Sequence, residues 1–414
     1  MRLFKFSKIF LTIYLLSFSF LFSDTIDNSS DRSQSDIDAL KEWVNSRRQI
    51  KIKEMGGTLS IGGEVRAELL SGREFKNGVK QRGVGGISGL PKNVYDIEVN
   101  LMLDYRSERS WSGIKLEFDN DAGIYNGSLN KMKVEKAIIG YRLVDSDIYT
   151  VDLELGRRKM SSMVESKIMY SSFYDGFWLK WDRSYEKLGD LYAHGGYFIV
   201  DEKAHHYSYL FELGLLNLAN TGFYTQYSLI DWHTKTYDDH IKREVFNFVV
   251  SHLTTGYKFT PKKLNKLVNL YLGGCFNHNA KKIDLSQNTR SNGAGYLGLS
   301  VGQLSKKGDW SLDINYQIVQ AQAIPDFDNM CVGSGGNATD SGFYLKKIRE
   351  MKERQIPSEA AGNGNCRGFQ ITFEYLLRDN LNIQQQWQQS ITLNDHLGPF
   401  RKFNQYEIEL VLSF

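Results

Sequence analysis

The chain has 414 residues, 41% hydrophobic and 13% aromatic, with a formal net charge of +3, 37 glycines, 5 prolines and 3 cysteines. A charge this close to neutral argues against a nucleic-acid partner, and the aromatic content excludes a disordered chain. Beyond residue 23 no apolar run approaches the roughly 18 residues a membrane helix needs, so the composition favours a large β-structure with aromatic surfaces.

Residues 1–23 read as a secretory signal peptide. Arg2, Lys5 and Lys8 form a basic start, Ile9 to Phe22 an apolar stretch, and polar residues begin at Ser23 and Asp24. Losing those three cations takes the net charge to 3 − 3 = 0. Residues 24–57 read as a periplasmic linker with a short amphipathic helix, starting at Ser35 and carrying Ile37, Leu40 and Val44 on one face.

From Thr58 the period becomes two. Leu59, Ile61, Val65, Ala67 and Leu69 share one parity against Glu64, Arg66 and Glu68. In the next segment Tyr95, Ile97, Val99, Leu101, Leu103 and Tyr105 oppose Asp96, Glu98, Asp104 and Arg106. The pattern continues with Ile114, Leu116 and Phe118 against Lys115, Glu117 and Asp119. Ala137, Ile139 and Tyr141 then oppose Lys136 and Arg142, and Phe177, Leu179 and Trp181 flank Lys180. Strand side chains alternate between faces, so each segment has one apolar and one charged face. The stretch 245–259 is strand-like with an ambiguous register, because Phe246, Phe248 and Val250 differ in parity from Leu253, Tyr257 and Phe259.

A soluble sandwich also alternates. Here the segments run to about 10–12 residues, the span of a tilted membrane strand, with aromatics at the ends of the apolar face. Short links (107–110, 144–147, 217–220, 305–309, 378–380) alternate with long ones (71–92, 122–131, 157–173, 233–243, 278–292, 322–366, 393–402). The expectation is an all-β fold: an antiparallel transmembrane β-barrel of about sixteen strands over 58–414, with 322–366 as a long outer loop or plug. At the C-terminus Tyr406, Ile408, Leu410, Leu412 and Phe414 lie on one parity. That strand resembles the terminal assembly signal of bacterial outer-membrane proteins, with Tyr406, Leu412 and Phe414 as its marks.

The candidate constriction is the 157–173 loop, entered through Arg157, Arg158 and Lys159; folded inward, three cations would favour anions. The lumen charges Glu64, Glu68, Asp96, Glu98, Asp104 and Glu117, set against Arg66, Arg106, Lys115, Lys136, Arg142 and Lys180, leave the sign of selectivity open. Trp178, Tyr192 and Tyr224 would suit a sugar or oligopeptide channel. Lys and Arg crowd 343–355, where Leu345, Ile348 and Met351 have helical spacing. Cys331 and Cys366 bracket the body of the long loop, leaving Cys275 odd; a disulfide between the two is one reading and intermolecular cross-linking another. None of the 8 histidines falls in a metal-ligand motif, and no cofactor is expected. Ser251 and His252 are adjacent, so on a strand they face opposite ways; the chain does not read as an enzyme.

KKGDWSLDINYQIVQAQAIPDFD (306–328) and LGRRKMSSMVESKIMYSSFYDGFWLKW (155–181) resemble the outer-membrane porin family of chlamydiae and their environmental relatives. VEKAIIGYRL (134–143) and YTQYSLIDW (224–232) fit the same pattern, whereas Cys331–Gly335 lacks the arginine of that family's Gly-rich turn. The resemblance implies a bacterial outer-membrane porin for passive diffusion of small hydrophilic solutes. Its implied partners are outer-membrane lipid, the barrel-assembly machinery and further copies of itself in a trimer. The alternative is a surface-displayed adhesin or structural envelope barrel with a plugged lumen.

Overall fold

The computed structural model describes residues 49–52, 56–121, 130–201, 206–233, 248–280, 282, 289–325, 328–332, 364–397 and 399–414. The signal-peptide reading and the 343–355 helix lie outside them. So does the helix expected after Ser35, except at Gln49, which opens a short strand, Gln49–Ile52, paired with Gly57–Ser60.

Sixteen antiparallel strands form one closed barrel. They are β1 (Gly57–Lys76), β2 (Asn93–Arg106), β3 (Ser110–Asp121), β4 (Asn130–Asp145), β5 (Tyr149–Lys159), β6 (Phe173–Tyr185), β7 (Gly189–Asp201) and β8 (His206–Leu218). The second half is β9 (Phe223–His233), β10 (Phe248–Phe259), β11 (Val268–Asn277), β12 (Gly293–Gly302), β13 (Trp310–Val319), β14 (Cys366–Arg378), β15 (Leu381–Thr392) and β16 (Arg401–Ser413). Each strand pairs with the next, and β16 closes on β1 from Arg401 opposite Lys76 to Ser413 opposite Glu64. Closure leaves no edge, so every strand pairs its backbone within the protein, as lipid requires.

The alternation sorts side chains as their polarity dictates. Leu69, Ile97, Ile139, Leu155, Phe211, Leu253, Leu297 and Leu410 are all exposed on the outer surface. Glu64, Asn100, Glu154, Glu212, Gln317 and Glu409 turn inward and are buried. The 245–259 ambiguity now has a cause. β10 keeps one register throughout, with Phe248 and Val250 inward and Leu253 and Tyr257 outward. Both faces are apolar because the inner one packs against protein rather than water; Phe246 lies outside the described residues.

Close packing on the inner wall depends on paired rings and glycines. Trp111, Trp178, Tyr192, Tyr224, Tyr271 and Tyr296 lie across Gly140, Gly196, Gly214, Gly256, Gly298 and Gly273 of neighbouring strands, where a Cβ would collide with the ring. Gly214→Val should displace Tyr192 and break its 2.9 Å hydrogen bond to Glu212. Overpacking of this kind costs about 1–3 kcal/mol, seen as a lower temperature for conversion of the compact, fast-migrating species on gels. Gly195→Ala is the neutral control, since a Cβ there meets only the Leu210 carbonyl at 3.8 Å.

Candidate functional site

Residues 160–172 leave the end of β5 and fold back into the barrel. A single turn, Met160–Ser162, starts the loop, and the Met160 N–H donates to the Ser172 carbonyl at 2.9 Å to close its neck. Met160, Val164, Ile168, Met169 and Tyr170 are fully buried against inward residues of β6 to β13, among them Trp178, Phe198, Ile230, Val250 and Tyr296. Polar contacts fix the loop on the same wall: Tyr170 Oη lies 2.6 Å from Ser228 Oγ, Gln317 Nε2 donates to the Lys167 carbonyl at 2.8 Å, and Lys167 Nζ sits 3.3 Å from Asp313. Burial pushes the Tyr170 hydroxyl well above its ordinary pKa of 10.0, so it stays a neutral hydrogen-bonding group.

A second inward segment holds the first. Asp328 accepts the main-chain N–H of Tyr170 at 3.0 Å and of Ser172 at 3.1 Å, together with the Ser172 hydroxyl. Tyr170 has φ +79, a strained region for a non-glycine residue that persists only where surroundings enforce it. Met330 N–H donates to the Ile168 carbonyl at 2.9 Å, and Met169 bridges to Asn329. The segment is fastened to the barrel by a disulfide from Cys331 to Cys366 at the start of β14, across 35 residues of sequence. Cys275 is free and buried. Reduction of the disulfide should lower the urea resistance of the folded barrel by about 3–4 kcal/mol on the chain-entropy estimate, while the compact form still assembles.

These two segments fill the β6–β13 half of the lumen. There the inward residues Trp178, Phe198, Ser208, Ile230, Trp232 and His252 have at most 2% of their surface exposed. Tyr192 and Tyr224 are likewise buried, so the three aromatics expected to greet a solute serve as packing. On the other half, Gln370, Thr372, Glu374, Gln384, Gln386, Gln388, Glu407, Glu68, Asp96 and Glu98 keep part of their surface in water.

Alternation separates the three cations at the loop entrance. Arg158 turns inward and meets Glu154 at 2.7 Å. Arg157 and Lys159 take the outward parity, Arg157 pairing with Asp175 at 2.9 Å. The chain enters the lumen only from Met160, so the three charges do not converge on one passage. Within the lumen Lys115 pairs with Glu135 at 2.6 Å, Lys133 with Glu117 at 2.6 Å and Lys136 with Asp104 at 3.5 Å. Arg142 pairs with Asp152 at 2.9 Å and Lys180 with Glu154 at 2.8 Å. Arg66 meets Glu64 at 2.5 Å, Glu409 at 3.3 Å and Glu98 at 3.7 Å, while Arg106 sits exposed at the short-turn end of β2. Tyr406 and Leu412 face outward, and Phe414 exchanges two backbone hydrogen bonds with Gly63, extending the closing seam.

Sequence reasoning missed Asp328, Glu407, Glu409 and the glutamines of β15. All but Asp328 were readable: LNIQQQWQQS places Gln384, Gln386 and Gln388, and YEIELVL places Glu407 and Glu409, opposite the apolar parity. The outer surface also holds a serine–histidine pair that adjacency in sequence could not reveal: Ser251 Oγ lies 2.7 Å from His278 Nε2 and 2.9 Å from Tyr227 Oη. The contacts join the residue after β11 to β10 and β9 across the outer surface.

No protein-family model matches the sequence, and no curated protein matches it either. Among solved structures the chain is similar to OprB of Pseudomonas putida, solved at high pH, with a TM-score of 0.52 and 9% identity over 86% of this chain and 94% of that one. OmpF of Salmonella typhi, in complex with daunomycin, aligns at a TM-score of 0.49 and 12% identity over 89% of this chain and all (100%) of that one. A triple mutant of the Rhodopseudomonas blastica porin aligns at 0.43 and 10% over 86% and 100%. The OprB likeness agrees with what the strand pairing builds directly, a closed sixteen-stranded antiparallel transmembrane β-barrel.

Proposed function

We propose that the protein is an outer-membrane porin, a water-filled channel for passive diffusion of small hydrophilic solutes. The observation that carries this reading is the half-filled lumen. An inward loop narrows the barrel against β6–β13, and a polar, partly water-exposed wall faces it. Passive channels discriminate in this way, by the size and charge of a fixed constriction. The exposed apolar outer surface supports placement in a bilayer, and a barrel of this type belongs in the bacterial outer membrane. On this reading residues 1–23 direct export, 24–57 form a periplasmic extension, Tyr406, Leu412 and Phe414 engage the barrel-assembly machinery, and the barrels associate as trimers. The segments resembling the chlamydial porins support placing the chain in that group. Of the three basic residues at the loop entrance, Arg158 is the one positioned to act on solutes.

The test is single-channel conductance of purified, heat-modifiable protein in planar bilayers. Stable open steps are the expected result. Silence from demonstrably folded barrels would overturn the channel and put surface display in its place.

A further inference from the structure

One line of paired positions crosses five consecutive strands, from β14 through β16 to β1 and β2. Its inward residues are Glu374, Gln384, Glu409, Glu68 and Asp96. Glu409, Glu68 and Asp96 stand directly opposite one another on adjacent strands. Like charges so placed repel and weaken a sheet, so stability alone would have put a cation or a neutral side chain among them. One line further along, the inward residue of β1 is Arg66, a single guanidinium shared among Glu64, Glu98 and Glu409. One line the other way come Thr372, Gln386 and Glu407, again without a cation. The wall from β3 to β6 is different: Lys115, Lys133, Lys136, Arg142, Arg158 and Lys180 each have a carboxylate within 3.5 Å. Among the described residues those six cations share five carboxylates, Glu154 serving two of them, so the crowding of like negative charge falls on the stripe.

A second observation points to positive charge or hydrogen-bond donors there. Asn100 is wholly buried; its Nδ2 donates to Glu64 and Glu98, and among the described residues its Oδ1 has no partner. Gln405, 6% exposed, gives Nε2 to Glu407, and its Oε1 likewise finds none among the described residues. Buried acceptors are normally satisfied, and these two lie among carboxylates, where a donor or a cation is the missing complement. Toward the long-loop end Glu74 lies between Arg82 and Arg401, but all three have 7% of their surface exposed or less and stand back from the water path.

We propose, resting on the channel reading above, that this stripe makes the pore cation-selective, passing inorganic cations and amine-bearing solutes ahead of anions of similar size. Carboxylates crowded on a low-dielectric wall raise the local concentration of cations and repel anions. The carboxylates do not converge on a point, and among the described residues no three His, Cys, Asp or Glu side chains could hold a metal. Cations accordingly pass hydrated rather than bound.

The experiment is the reversal potential of the full-length protein in planar bilayers under a KCl gradient, first at low and then at high salt. The expected sign is that of K⁺, with the preference weakening as salt screens the wall. In the Glu68→Gln/Glu409→Gln variant the K⁺ preference should fall by about threefold or more. Glu68→Gln alone removes the repulsion with both Glu409 and Asp96, so it should fold at least as well as the parent and shift selectivity in the same direction. Steady conductance with a zero or Cl⁻ reversal potential overturns the inference and leaves the channel standing. Unchanged selectivity in folded variants overturns the assignment to the stripe, and absence of conductance from folded protein overturns the channel and this inference together.

Discussion

Asp328→Ala should turn a steady single-channel current into a flickering one and open the lumen loop to trypsin at Lys167. The substitution strands the N–H groups of Tyr170 and Ser172, both of which now donate to Asp328. Each buried orphan costs about 1–3 kcal/mol, enough to raise loop opening from rare to frequent. Tyr170 adds to the effect, because its left-handed backbone loses one of the contacts that enforce it, the Ser228 hydrogen bond and the surrounding core remaining. Acid should act on the wild-type protein in the opposite sense. Burial pushes the Asp328 carboxyl up to about 6, against the opposing pull of its hydrogen-bond donors. Opening the loop returns the carboxyl to water, where it holds its proton less tightly, so flicker should fall as pH drops through about 6 and be pH-independent in the variant. Global stability should move in the same sense. Between the usual 3.8 and about 6 the folded state holds a proton that the unfolded state releases, so stability falls as pH rises through that window, by up to about 3 kcal/mol. The difference in urea midpoint between wild type and Asp328→Asn, followed against pH, isolates this contribution.

Glu154→Gln should be the most destabilising single change on the inner wall. The carboxylate is buried and takes Arg158 at 2.7 Å, Lys180 at 2.8 Å and the Trp111 indole N–H at 3.1 Å. Neutralising it leaves two partly buried cations without a counter-charge, and breaking such a network costs about 3–5 kcal/mol. The compact form should melt at a markedly lower temperature, read by gel mobility or circular dichroism. Adding Lys180→Met to Glu154→Gln should recover part of the loss, because one of the stranded charges is gone. A double variant no better than the single one would show that the carboxylate acts through packing rather than charge.

The barrel was legible because period-two alternation is a local property, repeated strand after strand. Leu59 to Leu69, Tyr95 to Tyr105 and Tyr406 to Phe414 each declare their outer face without reference to any neighbour. The succession of alternating segments carried the strand count, and a barrel of sixteen is what the structure shows. What the alternation could not convey is what fills the inside. Phe248 and Val250 looked like a register fault because an apolar inner face makes sense only once residues 160–172 pack on it. Arg157, Arg158 and Lys159 read as one basic cluster, yet a strand that continues through them sends Arg157 and Lys159 one way and Arg158 the other. Asp328 gave no signal at all, since its meaning depends on Tyr170 and Ser172, more than 150 residues away.

The division of the lumen has a consequence for how such a chain can vary. Inward positions of β6 to β13 behave like the interior of a soluble protein: Ser228, Thr254 and Gln317 each hold the inward loop by a specific atom. A change there alters the shape of the passage. Inward positions of β14 to β16, such as Gln384, Gln386 and Gln388, border water and tolerate exchange of one polar group for another. On the channel reading, single substitutions along these three strands can therefore change what passes, while the opposite wall and the loop on it stay as they are.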